Sequence, residues 1–509
     1  MKHTIAMVAA ALLSLHYIQA SDWTMYGGDP QRSGIARGEN ELNKESVPKL
    51  KLQWKTKVEN RTKELMALTV PVVVSGVPAP GGFKDFVVVA GSDDNLFAID
   101  GDTGRLLWQK KFAVTEKPKQ EPHWLCPNAL TATPVIDRKQ LVAYVLSSDG
   151  QLHSLNVVNG EDSRLPRRMT PPFAKTWSLN LIDQTIYTAT SQACNSVRSA
   201  IYAMGESSDE SKQFLAMKTF GAGIWGRAGV AIGKDGTVYA ETGDGSFDPA
   251  KGLYADAVLA VDGKSLELKD YYTPKNNKWI WKKDLDMGNM SPIVFPYKGK
   301  ELIAASGKEG VIYLLDANSM GGADHTTPLY RSELLTNDTA DFAGHGFWGA
   351  MATWQDESET RWLYAPAWGP PAEKLKFPID NGDTQQGSIM AFHVTGPSEK
   401  PSLAPAWKSV NLSVPEPPVI VNGVVFALSN GENVAQVDAT GHIYSSEFRA
   451  THPSGHAVLY ALDAVTGKVL FSSGDTISGF SHFTGLSVAD GRVFVVTWDN
   501  TVYAFGLGE

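Results

Sequence analysis

Short runs of alternating apolar and polar residues, broken every few positions by Gly, Asp or Asn, recur along the whole chain. Residues 87–112, VVVAGSDDNLFAIDGDTGRLLWQKKF, open with a β-branched run and pass a polar turn into a second strand ending Ala-Ile-Asp. A D-x-x-T-G turn then leads into a third strand that ends in a large aromatic. Residues 424–472 repeat the unit as VVFALSNG and, after an insertion, AVLYALDAVTGKVLFSS. Weaker copies lie at 141–161, 185–206, 236–272, 302–322, 361–396 and 492–506, which makes eight in all. Alternation with period two marks half-buried strands, and no long stretch carries the 3.6-residue period of a helix. Eight such units predict an all-β fold, an eight-bladed β-propeller with four strands to a blade.

The chain ends decide between an open array and a ring. The last copy stops at Gly508-Glu509 without a closing strand that ends in an aromatic, whereas Leu50-Lys51-Leu52-Gln53-Trp54 is such a strand with no copy before it. The N-terminal strand is therefore expected to complete the last blade, closing 21–509 into one domain without open edges or capping repeats. Trp54, Trp108, Trp281, Trp407 and Phe471 recur at strand ends and are expected to pack between blades. Function is then left to the loops and inner-strand ends around a central funnel.

Composition narrows the classes. With 46 Lys and Arg against 55 Asp and Glu the net charge is −9, and no basic run provides a footprint for nucleic acid. Met1-Lys2-His3, the apolar stretch from Ile5 to Leu15 and Ile18-Gln19-Ala20 read as a signal peptide cut after Ala20. That stretch is too short to span a bilayer comfortably, so no transmembrane segment is expected and the mature chain is placed in the bacterial periplasm or secreted. Two cysteines, Cys126 and Cys194, permit one disulfide, and no C-x-x-C-H run exists to attach a haem. His123, His345 and His482 lack the spacing of metal ligands, and the nucleophile-elbow, H-E-x-x-H and phosphate-loop motifs of hydrolases and nucleotide-binding proteins are absent.

On these residues the chain resembles the pyrroloquinoline quinone (PQQ) type propellers, which include quinoprotein alcohol dehydrogenases and polyvinyl alcohol dehydrogenases. The likeness covers nearly the whole mature chain. It rests on the A-x-D-x-x-T-G-x-x-L-W repeat, on WTMYGGDPQRSG at 23–34, and on central segments in the family's order. Gly221-Ala222-Gly223-Ile224-Trp225-Gly226 is similar to the run whose Trp stacks on the quinone, which implies that Trp225 supports the cofactor with Gly226 beside it. Glu241-Thr242-Gly243-Asp244-Gly245 resembles a T-G-N run whose Asn ligates calcium. Asp244 matches that position as a harder oxygen donor, for calcium or a lanthanide, unless it is a turn Asp capping its own backbone. WKKDLDMGNMSP at 281–292 is similar to the stretch holding the general base, with Asp286 preferred over Asp284. Lys308 matches the cation that binds the quinone oxygens, and Arg198 falls in another run assigned to the cofactor.

Two departures stand out. Cys194 takes the place of a carboxylate ligand, and a thiol is a poor donor to a hard cation. The family's vicinal cysteine pair is reduced to Cys126. If both matches hold, the two cysteines face one funnel, either bridged or as two buried thiols. The resemblance implies a PQQ-dependent dehydrogenase that oxidises a small or polymeric alcohol by base-assisted hydride transfer, passing electrons to a separate acceptor such as a cytochrome c. The alternative is a propeller that has lost the chemistry and serves as a binding or assembly scaffold, and Cys194 favours it.

Overall fold

The computed structural model describes residues 21–452 and 454–508, so the expected leader, 1–20, lies outside the described residues. Eight sheets of at least four strands, antiparallel except for one short edge pair in the sixth blade, form a closed ring. In chain order blade 1 spans 72–111, blade 2 135–168, blade 3 175–215, blade 4 231–272, blade 5 293–331, blade 6 346–408 and blade 7 419–472. Blade 8 takes its inner three strands from 486–507 and its outermost from Leu50–Lys57. That strand pairs antiparallel with Thr501–Leu507, from Leu50 opposite Leu507 to Lys57 opposite Thr501. The central strands are buried on both faces, as Val87–Ala90 and Leu96–Ile99 illustrate at 0% exposure, because each blade packs on a neighbour to either side.

The repeat explains how the blades are joined. In blade 1 the Asp100 carboxylate accepts the Thr103 backbone N–H at 3.1 Å and the Asp100 carbonyl accepts that of Gly104 at 2.8 Å, which builds the D-x-x-T-G turn. Trp54 of blade 8 lies on that turn and donates its indole N–H to the Gly101 carbonyl at 2.8 Å. Trp108 does the same to Val157 of blade 2 at 2.9 Å, and Trp407 to Ala464 of blade 7 at 2.9 Å. The turn glycine must be glycine twice over. Gly104 has φ +70°, and a Cβ there would stand 2.6 Å from the Trp54 ring. Three other junctions use tyrosine: the hydroxyls of Tyr187, Tyr239 and Tyr297 donate to the carbonyls of Gly263, Ala317 and Gly396. Phe471 of blade 7 meets Phe505 of blade 8 edge-on at 6.2 Å.

Trp281 corrects the sequence expectation. It lies not on a strand but in a helix, Asn277–Lys283, and is 49% exposed. The outer strand of blade 4 has already ended at Tyr272, Pro274 follows, and Asp284 ends the helix in the left-handed conformation.

The opening segment runs round the ring axis. Backbone hydrogen bonds join Trp23 to Val73, Thr24 to Ile136, Pro30 to Ile232, Gln31 to Val294, Ser33 to Thr353 and Ala36 to Ile420, in blades 1, 2, 4, 5, 6 and 7. Arg32, 1% exposed, donates to the carbonyls of Leu179 beside blade 3, Val230 and Tyr26, and the Asp490 N–H of blade 8 binds the Ser21 hydroxyl at 2.7 Å. One short segment thus touches every blade.

Candidate functional site

A cavity of about 140 Å³ opens where loops from around the ring converge on its axis. Five glycine-bearing segments form one wall and are knit by backbone hydrogen bonds. Trp225 N–H donates to Gly288 O at 2.9 Å, Gly243 N–H to Gly223 O at 2.8 Å, Lys308 N–H to Asp286 O at 3.2 Å, and Phe347 N–H to Gly307 O at 3.2 Å. The glycines permit contacts that a side chain would forbid. A Cβ on Gly243 would lie 2.6 Å from an Asp286 carboxylate oxygen, and one on Gly226 would lie 2.2 Å from the Met290 carbonyl. Gly226 accordingly serves close packing of two segments.

This weave brings Asp244, Asp284 and Asp286 together, with one carboxylate oxygen from each lying within 4.8 Å of the others. Lys308 reaches between them, its ammonium 2.8 Å from Asp286 and 2.9 Å from Asp284. Asp284 and Asp244 line the cavity, while Asp286 sits behind them at 0% exposure. Burial pushes the Asp286 carboxyl up; Lys308 pulls it back, and the charges of Asp244 and Asp284 add to the rise. The two nearby carboxylates more than offset burial for Lys308 and hold it protonated. Desolvation and the adjacent Asp284 raise Asp244 to about 6. Behind the cluster Asp256 is buried without a side-chain hydrogen bond among the described residues. Burial, then the charges of Asp286 and Asp244, lift it well above the usual carboxylate range.

Indoles make the next wall. Trp225 meets Trp348 edge-on at 5.5 Å, and Trp348 stacks on Trp368 at 4.3 Å and 8°. The Lys308 ammonium lies 5.2 Å from the Trp225 ring centre and 5.5 Å from that of Trp348, a cation–π arrangement with both. The third wall is buried and polar: Glu432 pairs with Arg449 at 3.1 Å, the His482 imidazole, whose protonation burial disfavours, lies beside it, and Arg227 pairs with Glu416 beneath Phe483.

Five of the residues singled out in the sequence therefore meet at one place: Trp225, Asp244, Asp284, Asp286 and Lys308. Cys126 and Cys194 are joined by a disulfide with Cα atoms 5.4 Å apart, and their neighbours Leu125 and Gln192 line the cavity. Arg198 departs from expectation. It is exposed and lines a separate groove with Lys117 and Phe220, because the turn at Cys194–Ser196 reverses the chain and Thr190 Oγ1 ties the Arg198 carbonyl inward. Sequence reasoning missed Trp348, although Gly346-Phe347-Trp348-Gly349 repeats the G-x-W-G pattern of 223–226. It also missed Lys175, Glu432 and Arg449, which carry no motif.

A family model described as outer membrane protein assembly factor BamB matches residues 46–213. No curated protein matches the chain by sequence. Among solved structures, quinohemoprotein alcohol dehydrogenase from Comamonas testosteroni is similar with a TM-score of 0.63 at 17% identity, over 96% of this chain and 80% of that one. Quinohemoprotein alcohol dehydrogenase ADHIIG from Pseudomonas putida HK5 follows at 0.61 and 14%, over 96% and 80%. A europium-containing methanol dehydrogenase superposes with 0.60 at 13%, over 95% and 89%. Likeness at these identities speaks to fold.

Proposed function

We propose that this eight-bladed propeller belongs to the PQQ type and is a quinoprotein-like dehydrogenase that oxidises an alcohol in the axial cavity. The observation that carries the reading is the convergence of an indole wall, three carboxylates and a buried lysine on one cavity at the centre of the ring. Both implied groups suit the residues present. Trp225 and Trp348 offer aromatic surface to a planar ring. Asp244, Asp284 and Asp286 are all-oxygen donors held by one ammonium, an excess of negative charge that a hard divalent or trivalent cation would relieve.

When bound, PQQ would supply a hydride acceptor and the cation would polarise it. The protein does the rest. Trp225 and Trp348 orient the ring and exclude water from its face. Lys308, kept protonated by its two carboxylates, presents positive charge toward the oxygens that gain electron density. Of the two aspartates that hold Lys308, Asp284 borders the cavity and takes the substrate hydroxyl proton, while Asp286 is fully enclosed and positions Lys308; Asp244, the other carboxylate on the cavity wall, is left to the cation. This exchanges the roles expected of the two aspartates from sequence. Electrons then pass to a separate acceptor, and export to the periplasm remains part of the same reading.

The test is a titration of the purified mature chain with PQQ, with and without calcium or lanthanum, followed by a dye-linked assay on simple alcohols. Metal-dependent binding weakened by Trp225→Ala supports the site. Asp284→Asn should cut turnover by about 10²–10⁴-fold while leaving the thermal transition in place. Absence of PQQ binding under any metal overturns the reading.

A second reading is a binding or assembly scaffold. Cys194, where a carboxylate ligand was expected, is committed to its disulfide and cannot serve a cation, and the family model that matches 46–213 is that of an assembly factor.

A further inference from the structure

Lys175 belongs to none of the features used so far. It begins the innermost strand of blade 3, opposite Ser191, and is 6% exposed, yet it borders the axial cavity. Among the described residues its ammonium has no hydrogen bond and no ion pair. Its one close neighbour of note is the Trp177 ring, 5.2 Å away and itself fixed by an indole hydrogen bond to Ser191 Oγ at 2.8 Å. A buried ammonium without a counter-ion is costly, and a protein that keeps one at a cavity wall leaves it for something that enters.

The surroundings agree. Gln192 lines the cavity next to the strand partner of Lys175, in a left-handed conformation (φ 66°) that a β-strand would not choose. Arg449, close enough for its charge to act on Lys175, stacks on Trp124 at 4.8 Å and spends one nitrogen on Glu432, while its Nε is buried without an acceptor among the described residues. Burial pushes the Lys175 ammonium down to about 7, and the Arg449 charge adds to the fall. The acidic cluster is held by Lys308 on another wall, so the cavity has an anionic pole at Asp244 and Asp284 and a separate cationic pole at Lys175.

We propose that Lys175, with Gln192 and Arg449, is a carboxylate-binding corner that holds an anionic group of the molecule lying against Trp225. The inference rests on the reading that a planar small molecule fills the cavity. The carboxylate has two sources, the cofactor, since PQQ is a tricarboxylic acid, or an alcohol substrate that is itself an acid.

The experiment reads binding by quenching of the cavity indoles in the full mature chain with calcium present. The probes are PQQ, its trimethyl ester and the acidic alcohol 4-(hydroxymethyl)benzoate, tested on the native chain, Lys175→Met, Lys175→Arg and Trp225→Ala. If the cofactor is the source, Lys175→Met weakens PQQ at least tenfold, leaves the ester unchanged, and Lys175→Arg restores much of the loss; Trp225→Ala weakens acid and ester alike. If the substrate is the source, PQQ binds all lysine variants equally and the hydroxymethylbenzoate loses its affinity in Lys175→Met. Equal binding of every probe by native chain and Lys175→Met overturns the proposal. Failure of PQQ to bind the native chain, with Lys175-dependent binding of the benzoate, overturns the quinoprotein reading and leaves the corner standing. Thermal melting gives an independent check: loss of a solitary buried charge should leave the melting temperature of Lys175→Met unchanged or higher, whereas a lysine kept for structure would lower it.

Discussion

Lys308 stands between two carboxylates, one of them fully enclosed. Replacing it with methionine leaves Asp286 buried without its counter-charge, and breaking a buried pair from one side costs about 3–5 kcal/mol. Lys308→Met should therefore lower the denaturant midpoint sharply, and Lys308→Arg should recover part of it. Asp244 gives a pH signature with a definite sign. Its carboxyl is raised from 3.8 to about 6 in the folded chain, so between those values the folded chain binds more protons than the unfolded one. In the absence of a cation, this group's contribution to stability is largest at low pH and is lost as pH rises through about 6. Cation binding runs the other way, because a ligand carboxylate must first lose its proton. Calcium affinity, measured by calorimetry, should fall by about tenfold per pH unit below that value, and Asp244→Asn should flatten the profile.

At three junctions, those of Trp54, Trp108 and Trp407, an indole N–H donated to one turn carbonyl ties blade to blade, and the element scale shows what that economy costs. Trp108 gives its N–H to Val157 and covers Gly160, where a Cβ would stand 2.7 Å from the indole. Trp108→Ala should destabilise the fold by about 3–5 kcal/mol, read as a fall in the thermal transition, with the cavity chemistry intact because the junction lies far out on the blade. The same regularity made these elements legible in the sequence: Trp108 and Phe471 stand at the same distance after the D-x-x-T-G turns at 100–104 and 463–467, and Trp54 and Trp407 pack on the glycines of those same two turns. Trp281 mimicked it because it ends a short apolar run, Trp279-Ile280-Trp281, as a closing strand does, yet Pro274 and a left-handed Asp284 enclose it in a helical turn. The carboxylates and Lys308 were legible through glycines that let five segments approach one another. Which of Asp284 and Asp286 borders the cavity was not, since a shift of two residues along an irregular loop decides it. Lys175, Glu432 and Arg449 come from a strand, a loop and a short helix far apart in the sequence, and nothing local announces that a ring will gather them.

At the scale of the whole molecule the fold is held by two devices that act at long range, the opening segment that bonds to every blade and the shared blade that closes the ring. A chain lacking 50–57 would leave Thr501–Leu507 as an unpaired edge. Size-exclusion chromatography of that deletion should show dimers and larger species where the intact chain runs as one. Leu50–Lys57 also has a history within each molecule. Gln53 hydrogen-bonds to Gly506, which follows it by 453 residues. The first blade strand to leave the ribosome is thus the last to find its partner, and until the final residues arrive it is a free template that the same strand-seeking edge of a neighbouring chain can satisfy equally well. Yield of the monomer is therefore a race between finishing one chain and meeting another, won by dilution and fast elongation and lost when many ribosomes crowd one message.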